Sequence, residues 1–173
     1  LLQQIGVAPD EVAPAEVDET PHRDERPRQL ALRLAVDKGR AVADRFQSAY
    51  VLSADTVVAV GRRILPKAEV EKEARACLAL LAGRSHDVLT AVSIQGPDGR
   101  TAQRLVESRV TFKRLSHLEI EAYIASDEWR GKAGGYAVQG RASAFISHIT
   151  GSYSAIVGLP SVLWQQVGDK VTV

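Results

Sequence analysis

The 173-residue sequence contains no methionine, not even at position 1, and a single cysteine, Cys77. One cysteine excludes an internal disulfide framework and fits a reducing compartment. Net charge is also nearly lacking, at +1. That balance gives no electrostatic case for nucleic acid or an acidic membrane as the main partner. No apolar run is long enough to span a bilayer and no signal sequence is visible, so the expected location is the cytoplasm. Internal repeats and low-complexity linkers are missing as well. The opening Leu1-Leu2-Gln3-Gln4-Ile5-Gly6 reads as the tail of a helix capped by Gly6, so the natural N-terminus is expected to lie upstream.

Several chemistries lack their signatures. The four histidines (His22, His86, His117, His148) are scattered, no HExxH occurs, and Cys77 stands alone, which leaves zinc poorly supported. Gly140-Arg141-Ala142-Ser143-Ala144 misses the final glycine of G-x-S-x-G. The G-x4-GK[ST] spacing of a P-loop is missing too.

What is present is a globular composition, 45% hydrophobic and 25% charged, over a length suited to one domain. Its organising stretch is Tyr50–Val60, YVLSADTVVAV. Apolar residues on both faces describe a strand covered on each side by helices. Asp55 and Thr56 interrupt that pattern. A carboxylate there loses hydration at a cost of several kcal/mol unless it is paired. Asp55 is therefore an end-cap, a structural partner of a lysine, or part of a functional site; the Val57–Val60 run that continues past it argues against the first.

Around this strand, Val7–Pro14 suggests a short strand and Asp18–Pro21 an acidic loop. Pro27 opens a helix to about Phe46 whose apolar stripe includes Ala31, Leu34, Ala35, Ala41 and Val42. Lys38 falls on that stripe, either snorkelling to water or facing a pocket. A second helix spans about Glu69–Ala82, with Cys77 on its core face. Strands at about His86–Gln95 and Thr101–Lys113 flank Asp98-Gly99, a hairpin signal. Ser116 and Glu119 form a capping box for a third helix. Glu128–Gly140 is a glycine-bearing loop whose backbone can approach a ligand closely. A strand at about Ala144–Ile149, a turn at Gly151–Ser154 and a short terminal helix after Pro160 complete the reading. Asp18, Glu19 and Asp55 are oxygen donors suited to Mg²⁺ or Mn²⁺, and Lys38, Lys67 and Lys132 suit phosphate. Together they suggest a nucleotide or another phosphate ester.

DETP at 18–21, SADTVV at 53–58, LPKAE around Lys67, LAGRSHDVLTAV at 81–92, KAGGYAVQG at 132–140 and GSYSAIVGLP at 151–160 resemble, in order and at family spacing, the Maf family of nucleoside triphosphate pyrophosphatases. The resemblance implies an α/β fold: an elongated mixed β-sheet flanked by helices, two lobes and a central cleft, similar to inosine triphosphate pyrophosphatases. It implies one domain over residues 1–173, without its N-terminal strand and the start of its first helix. It further implies a metal-dependent, house-cleaning hydrolase that cleaves an NTP into NMP and pyrophosphate. KAGGYAVQG is similar to the branch acting on dTTP and UTP, whereas the branch acting on 7-methyl-GTP has a glutamate in place of Gln139.

Carried over by this resemblance, Asp55 corresponds to the proton acceptor and, with Glu19, to the holder of a divalent cation, Mg²⁺ or Mn²⁺. Lys67 and Lys38 are expected to serve the chemistry, with Thr56, Gln139 and Lys132 binding substrate or setting specificity. A Ser-x-Ser-Pro-Arg-Arg-like motif, which supplies phosphate-binding groups in the family, would precede Leu1. Ala68 replaces a common proline. Homodimers are the family's habit. The alternatives are a 7-methyl-GTP pyrophosphatase and a non-catalytic, nucleotide-binding regulator of cell division.

Overall fold

Proline at the first helical position and an apolar stripe set the first long helix. In the computed structural model, which describes residues 1–161, α1 runs Pro27–Ala43 and buries Leu30, Ala31, Leu34, Ala35 and Val42. It lies on β1 (Val51–Val60), which turns at Gly61 and Arg62 into the short β2 (Arg63–Leu65). β3 (Lys67–Ala68) and α2 (Glu71–Leu81) follow. The long hairpin of β4 (Ser85–Gln95) and β5 (Thr101–Phe112) pairs residue for residue from Ser85↔Thr111 to Gln95↔Thr101, as the Asp98-Gly99 turn requires. α3 (His117–Ile124) starts at the expected capping box, with the Ser116 hydroxyl accepting from the Glu119 N–H. Then come β6 (Lys132–Ala133), β7 (Ile146–Thr150) and α4 (Tyr153–Val157).

The main sheet has the order β2-β1-β4-β5-β7, and β3 pairs with β6 in a second, two-stranded sheet. The α/β class is as expected. Every described pairing is antiparallel, however, so the main sheet is not mixed over these residues. Parallel neighbours need a crossover that returns the chain in the same direction, and no described connection does so.

The two faces of β1 carry two cores. Val57 and Ala59 pack with α1 and with Leu89 and Ala91 of β4. Val58 points the other way, into a larger core with Leu78 and Leu81 of α2, Val88, Phe112, Tyr123 and Trp129. Cys77 belongs to this second core at 2% exposure, and burial pushes its thiol up to about 11, as a core thiol requires.

Several local readings change. Val7–Pro14 forms no regular element; Pro9 and Pro14 remove two backbone donors that a strand would use. α1 stops at Ala43 rather than Phe46, and β7 begins at Ile146 after a 3-10 turn over Arg141–Phe145. The stretch read as a turn at 151–154 opens α4 instead, because the Ser152 hydroxyl accepts from the Ala155 N–H and caps it. The expected terminal helix after Pro160 lies outside the described residues.

Candidate active site

Side chains alternate along a strand, so Asp55 shares the α1 face with Val57 while Thr56 shares the opposite face with Val58. The helix comes unusually close here. A Cβ on Gly39 would lie 2.8 Å from Ser53 Oγ, and Ser53 Oγ donates to the Ala35 carbonyl at 2.6 Å. That close seat carries Lys38, the neighbour of Gly39, over β1. Lys38 Nζ there donates a hydrogen bond to Asp55 Oδ1 and lies 2.7 Å from Glu19 Oε1. Lys38 thus bridges two carboxylates while 18% of its side chain stays exposed.

Lys67, at the start of β3, completes the cluster. Its Nζ pairs with Glu19 Oε2 and stands 3.5 Å from Asp55 Oδ1. Two ammonium groups and two carboxylates therefore alternate around a ring of zero net charge. Desolvation pulls the Lys38 pKa down, but the hydrogen bonds to Asp55 and Glu19 outweigh it, and the net shift is upward. At Glu19 desolvation pushes up, while Lys38 and Lys67 hold the carboxyl below its usual range. Asp55 is only 5% exposed, and its Oδ2 has no hydrogen-bond partner among the described residues. A buried acceptor without a partner costs about 1–3 kcal/mol, so a water, cation or ligand that reaches Oδ2 is favoured there.

Glu19 is held by its loop. Asp18 Oδ1 accepts from the Thr20 N–H at 2.9 Å, and Arg33 Nη2 of α1 donates to the Thr20 carbonyl at 3.0 Å. Arg33 is itself fixed by Glu25 at 2.8 Å. Asp18 thus shapes the turn through Oδ1. Arg33 and Glu25 escaped sequence reasoning; the signal was a charged residue placed so that α1 could meet the DETP turn.

Beside the ring lies a cavity of about 280 Å³, close to the lower end of ligand-site volumes of about 300–1,000 Å³. Asp55, Thr56, Lys67, Lys132 and Gln139 line it with Val58, Val88, Tyr136, Val138 and Ile156. Five of the seven residues carried over by the resemblance thus meet at one cavity, and ion pairs join the other two, Lys38 and Glu19, to it. Lys132 arrives through the β3–β6 ladder, where Ala68 faces Lys132 and Lys67 faces Ala133. The loop after it packs on protein at its glycines and lines the cavity with Tyr136, Ala137, Val138 and Gln139. Gly134 sits at φ +68°, and a Cβ there would come within 2.8 Å of Val58 Cγ1. Glu128 accepts from the Arg141 N–H at 2.7 Å and closes the loop's far end.

Behind Thr56 the hydrogen-bonding groups are uncharged. Thr56 Oγ1 meets Thr90 Oγ1 at 2.9 Å, across the register pair Thr56↔Thr90. Thr90 Oγ1 in turn donates to the Ala155 carbonyl at 2.6 Å. His86 Nε2 and Tyr136 Oη are 2.8 Å apart, and burial depresses the His86 pKa to about 4, so its ring is neutral near pH 7. Sequence reasoning missed Thr90 and His86, although both are polar residues inside an apolar strand, the signal that exposed Asp55.

Among the described residues no group of three or more His, Cys, Asp or Glu is placed to hold a metal. A hard cation can instead be held by one or two carboxylates while phosphate oxygens and water complete its shell. Asp55 with its unpartnered Oδ2 and Glu19 fit that donor set. No described helix is long and apolar enough to cross a membrane.

Residues 1–168 match the family model described as Maf-like protein. The chain is 62% identical over 160 residues to a dTTP/UTP pyrophosphatase of Caulobacter vibrioides, covering 92% of this chain and 83% of the relative. It is 57% identical over 166 residues to the dTTP/UTP pyrophosphatase of Brucella abortus strain 2308, covering 92% and 80%. A third relative of that name, from Rhodospirillum rubrum, is 57% identical over 160 residues, covering 92% and 76%. With its motifs gathered at one cavity and a match of this extent, the chain belongs to the Maf family.

Proposed function

We propose that the chain is a nucleoside triphosphate pyrophosphatase that hydrolyses dTTP and UTP, and modified pyrimidine relatives, to the monophosphate and pyrophosphate. The observation that carries this reading is the neutral ring of Asp55, Lys38, Glu19 and Lys67 beside a cavity that the uncharged Thr56 and Gln139 also line. A triphosphate needs cations, and a pyrimidine needs a neutral polar edge. The names of the relatives agree with both.

Asp55 and Glu19 would hold Mg²⁺ or Mn²⁺, which when bound supplies Lewis-acid neutralisation of the phosphate charge. Asp55 Oδ2, unpartnered and beside the cavity, takes the proton of the attacking water. The water oxygen bonds to the α-phosphorus, the bond from that phosphorus to the bridging oxygen breaks, and pyrophosphate leaves. Lys67 and Lys38 exchange carboxylate partners for phosphate oxygens and stabilise the departing charge, with Lys132 at the outer rim. Thr56 and Gln139 read the base. One domain, a cytoplasmic location and a homodimer complete the reading; sedimentation tests the last.

Pyrophosphate release from UTP, dTTP, CTP and 7-methyl-GTP in the presence of Mg²⁺ is the test. UTP and dTTP should lead in kcat/KM. Preference for 7-methyl-GTP, or nucleotide binding without release, would replace this reading with one of its rivals.

A further inference from the structure

A hydroxyl has one proton to give and two lone pairs with which to accept. Thr90 Oγ1 lies 2.6 Å from the Ala155 carbonyl oxygen, which can only accept. The Thr90 proton is therefore committed to α4. Thr90 Oγ1 is also 2.9 Å from Thr56 Oγ1, and with its own proton spent it can only accept there. The proton of that bond must come from Thr56. Thr56 then faces the cavity with lone pairs alone.

We infer that Thr90 is a positioning residue that locks Thr56 as a hydrogen-bond acceptor and thereby makes the cavity select a base with a ring N–H. Thr90 is fully buried and does not line the cavity, so it acts through Thr56 and not by contact. Three elements hold the relay: β1 gives Thr56, β4 gives Thr90, and α4 gives the carbonyl. The register pair Thr56↔Thr90 brings the first two together, and the Ser152 cap fixes the third. The Ala155 carbonyl also accepts from the Gly158 N–H at 3.0 Å, so its orientation does not depend on Thr90.

The chemistry that matches is an imide. Uracil and thymine carry a proton on N3, which Thr56 accepts, while the Gln139 amide donates to a neighbouring carbonyl oxygen. Cytosine carries a lone pair on N3, which meets the Thr56 lone pairs without a proton between them. A fixed acceptor thus rejects the wrong pyrimidine more strongly than a hydroxyl free to rotate, which would turn its proton toward either ring. This inference rests on the nucleotide reading above, and binding separates it from turnover.

The experiment compares binding of UMP and CMP by calorimetry to the wild-type chain, Thr90→Val and Thr90→Ser, with melting temperatures recorded alongside. Valine keeps the branched shape and removes the hydroxyl; serine restores it. The wild-type chain should prefer UMP by about ten-fold or more, Thr90→Ser should keep most of that preference, and Thr90→Val should lose most of it, largely by gaining affinity for CMP. Thr90→Val with an intact preference overturns the inference, as does a wild-type chain that binds UMP and CMP alike. Should Thr90→Val prove too unstable, Thr90→Ala against Thr90→Ser decides by the same ratio. A preference for UMP without pyrophosphate release from UTP would remove the hydrolytic reading and leave the Thr90 relay standing.

Discussion

Asp55 and Thr56 are neighbours in sequence and opposites in setting. On the α1 face, Asp55 belongs to a ring of four charges drawn from a loop, a helix and two strands. On the other face, Thr56 belongs to a line of neutral hydroxyl and carbonyl groups within a core that also buries His86 and Tyr136. A strand's two-residue period keeps these two chemistries apart while holding them one residue from each other. Charge sits where a loop, a helix and two strands bring side chains together. Recognition works where packing leaves nothing to rearrange.

Breaking the charged side should have the largest effect. Asp55→Asn is nearly isosteric and removes the charge proposed to take the proton and hold the cation. Losing a general base costs ~10²–10⁴-fold in rate, so pyrophosphate release should fall by at least that much. A circular-dichroism melt close to wild type is expected alongside. Wild-type kcat in this variant would remove Asp55 from the chemistry.

The two sides should also fail at different pH. His86 is depressed to about 4 from an ordinary 6.5, so below pH 6.5 the unfolded chain binds a proton that the folded chain refuses. Stability should decline by about 3 kcal/mol between pH 6.5 and 4 from this group. Glu19 lies below its ordinary 4.5, so its contribution is present above that pH and is lost only as pH falls further. Lys38 is raised above 10.5, and its contribution fades only at pH above that. Thermal melts across pH 4–7 should therefore track His86, and His86→Gln should flatten the slope. An unchanged slope would place the titrating group elsewhere.

Exchanging one atom pair on the neutral side should have a smaller effect. Gln139→Glu replaces an amide donor by a carboxylate that only accepts. The base carbonyl loses its donor at about 1–3 kcal/mol, a fall of roughly 5- to 150-fold in kcat/KM for UTP and dTTP. The ranking among UTP, dTTP, CTP and 7-methyl-GTP is the decisive measurement; a uniform loss would make Gln139 a loop-stabilising amide.

The smallest effect is expected from Arg33→Ala, which frees the loop bearing Glu19 from α1. Partly exposed pairs of this kind contribute about 1 kcal/mol or less, so kcat/KM should fall by roughly five-fold at most and chiefly through KM. A drop as deep as that of Asp55→Asn would mean that Arg33 does more than hold the loop.

Patterning in the sequence revealed the elements that bury a clear face. The helix at Pro27, the second helix around Cys77, the hairpin at Asp98-Gly99 and the capping box at Ser116 all stand near their expected bounds. Long-range pairing stayed hidden, because no local period tells β1 to lie between β2 and β4 or brings Lys132 beside Lys67. Asp55 was legible as a charge in an apolar run, but its choice among three roles depended on Lys38 and Lys67, 17 and 12 residues away. The glycines of 134–140 announced close approach: Gly134 meets Val58, and the loop also lines the cavity. Thr90 was invisible because its meaning lies in the direction of a proton, which only the Ala155 carbonyl settles.

The seating of that loop sets the terms on which substrate range can drift. Gly134 touches Val58, Tyr136 and Val138 are buried, and Glu128 grips the Arg141 N–H, so the backbone on both sides of Gln139 is fixed. The Gln139 side chain itself is exposed. Substitutions at an exposed position away from packing usually change stability by no more than about 0.5 kcal/mol. A lineage could therefore sample glutamine, glutamate or another reader at position 139 with the fold indifferent to the choice. Each trial would be judged on nucleotides alone, because a loop so firmly held gives a new side chain the same place to stand as the old one.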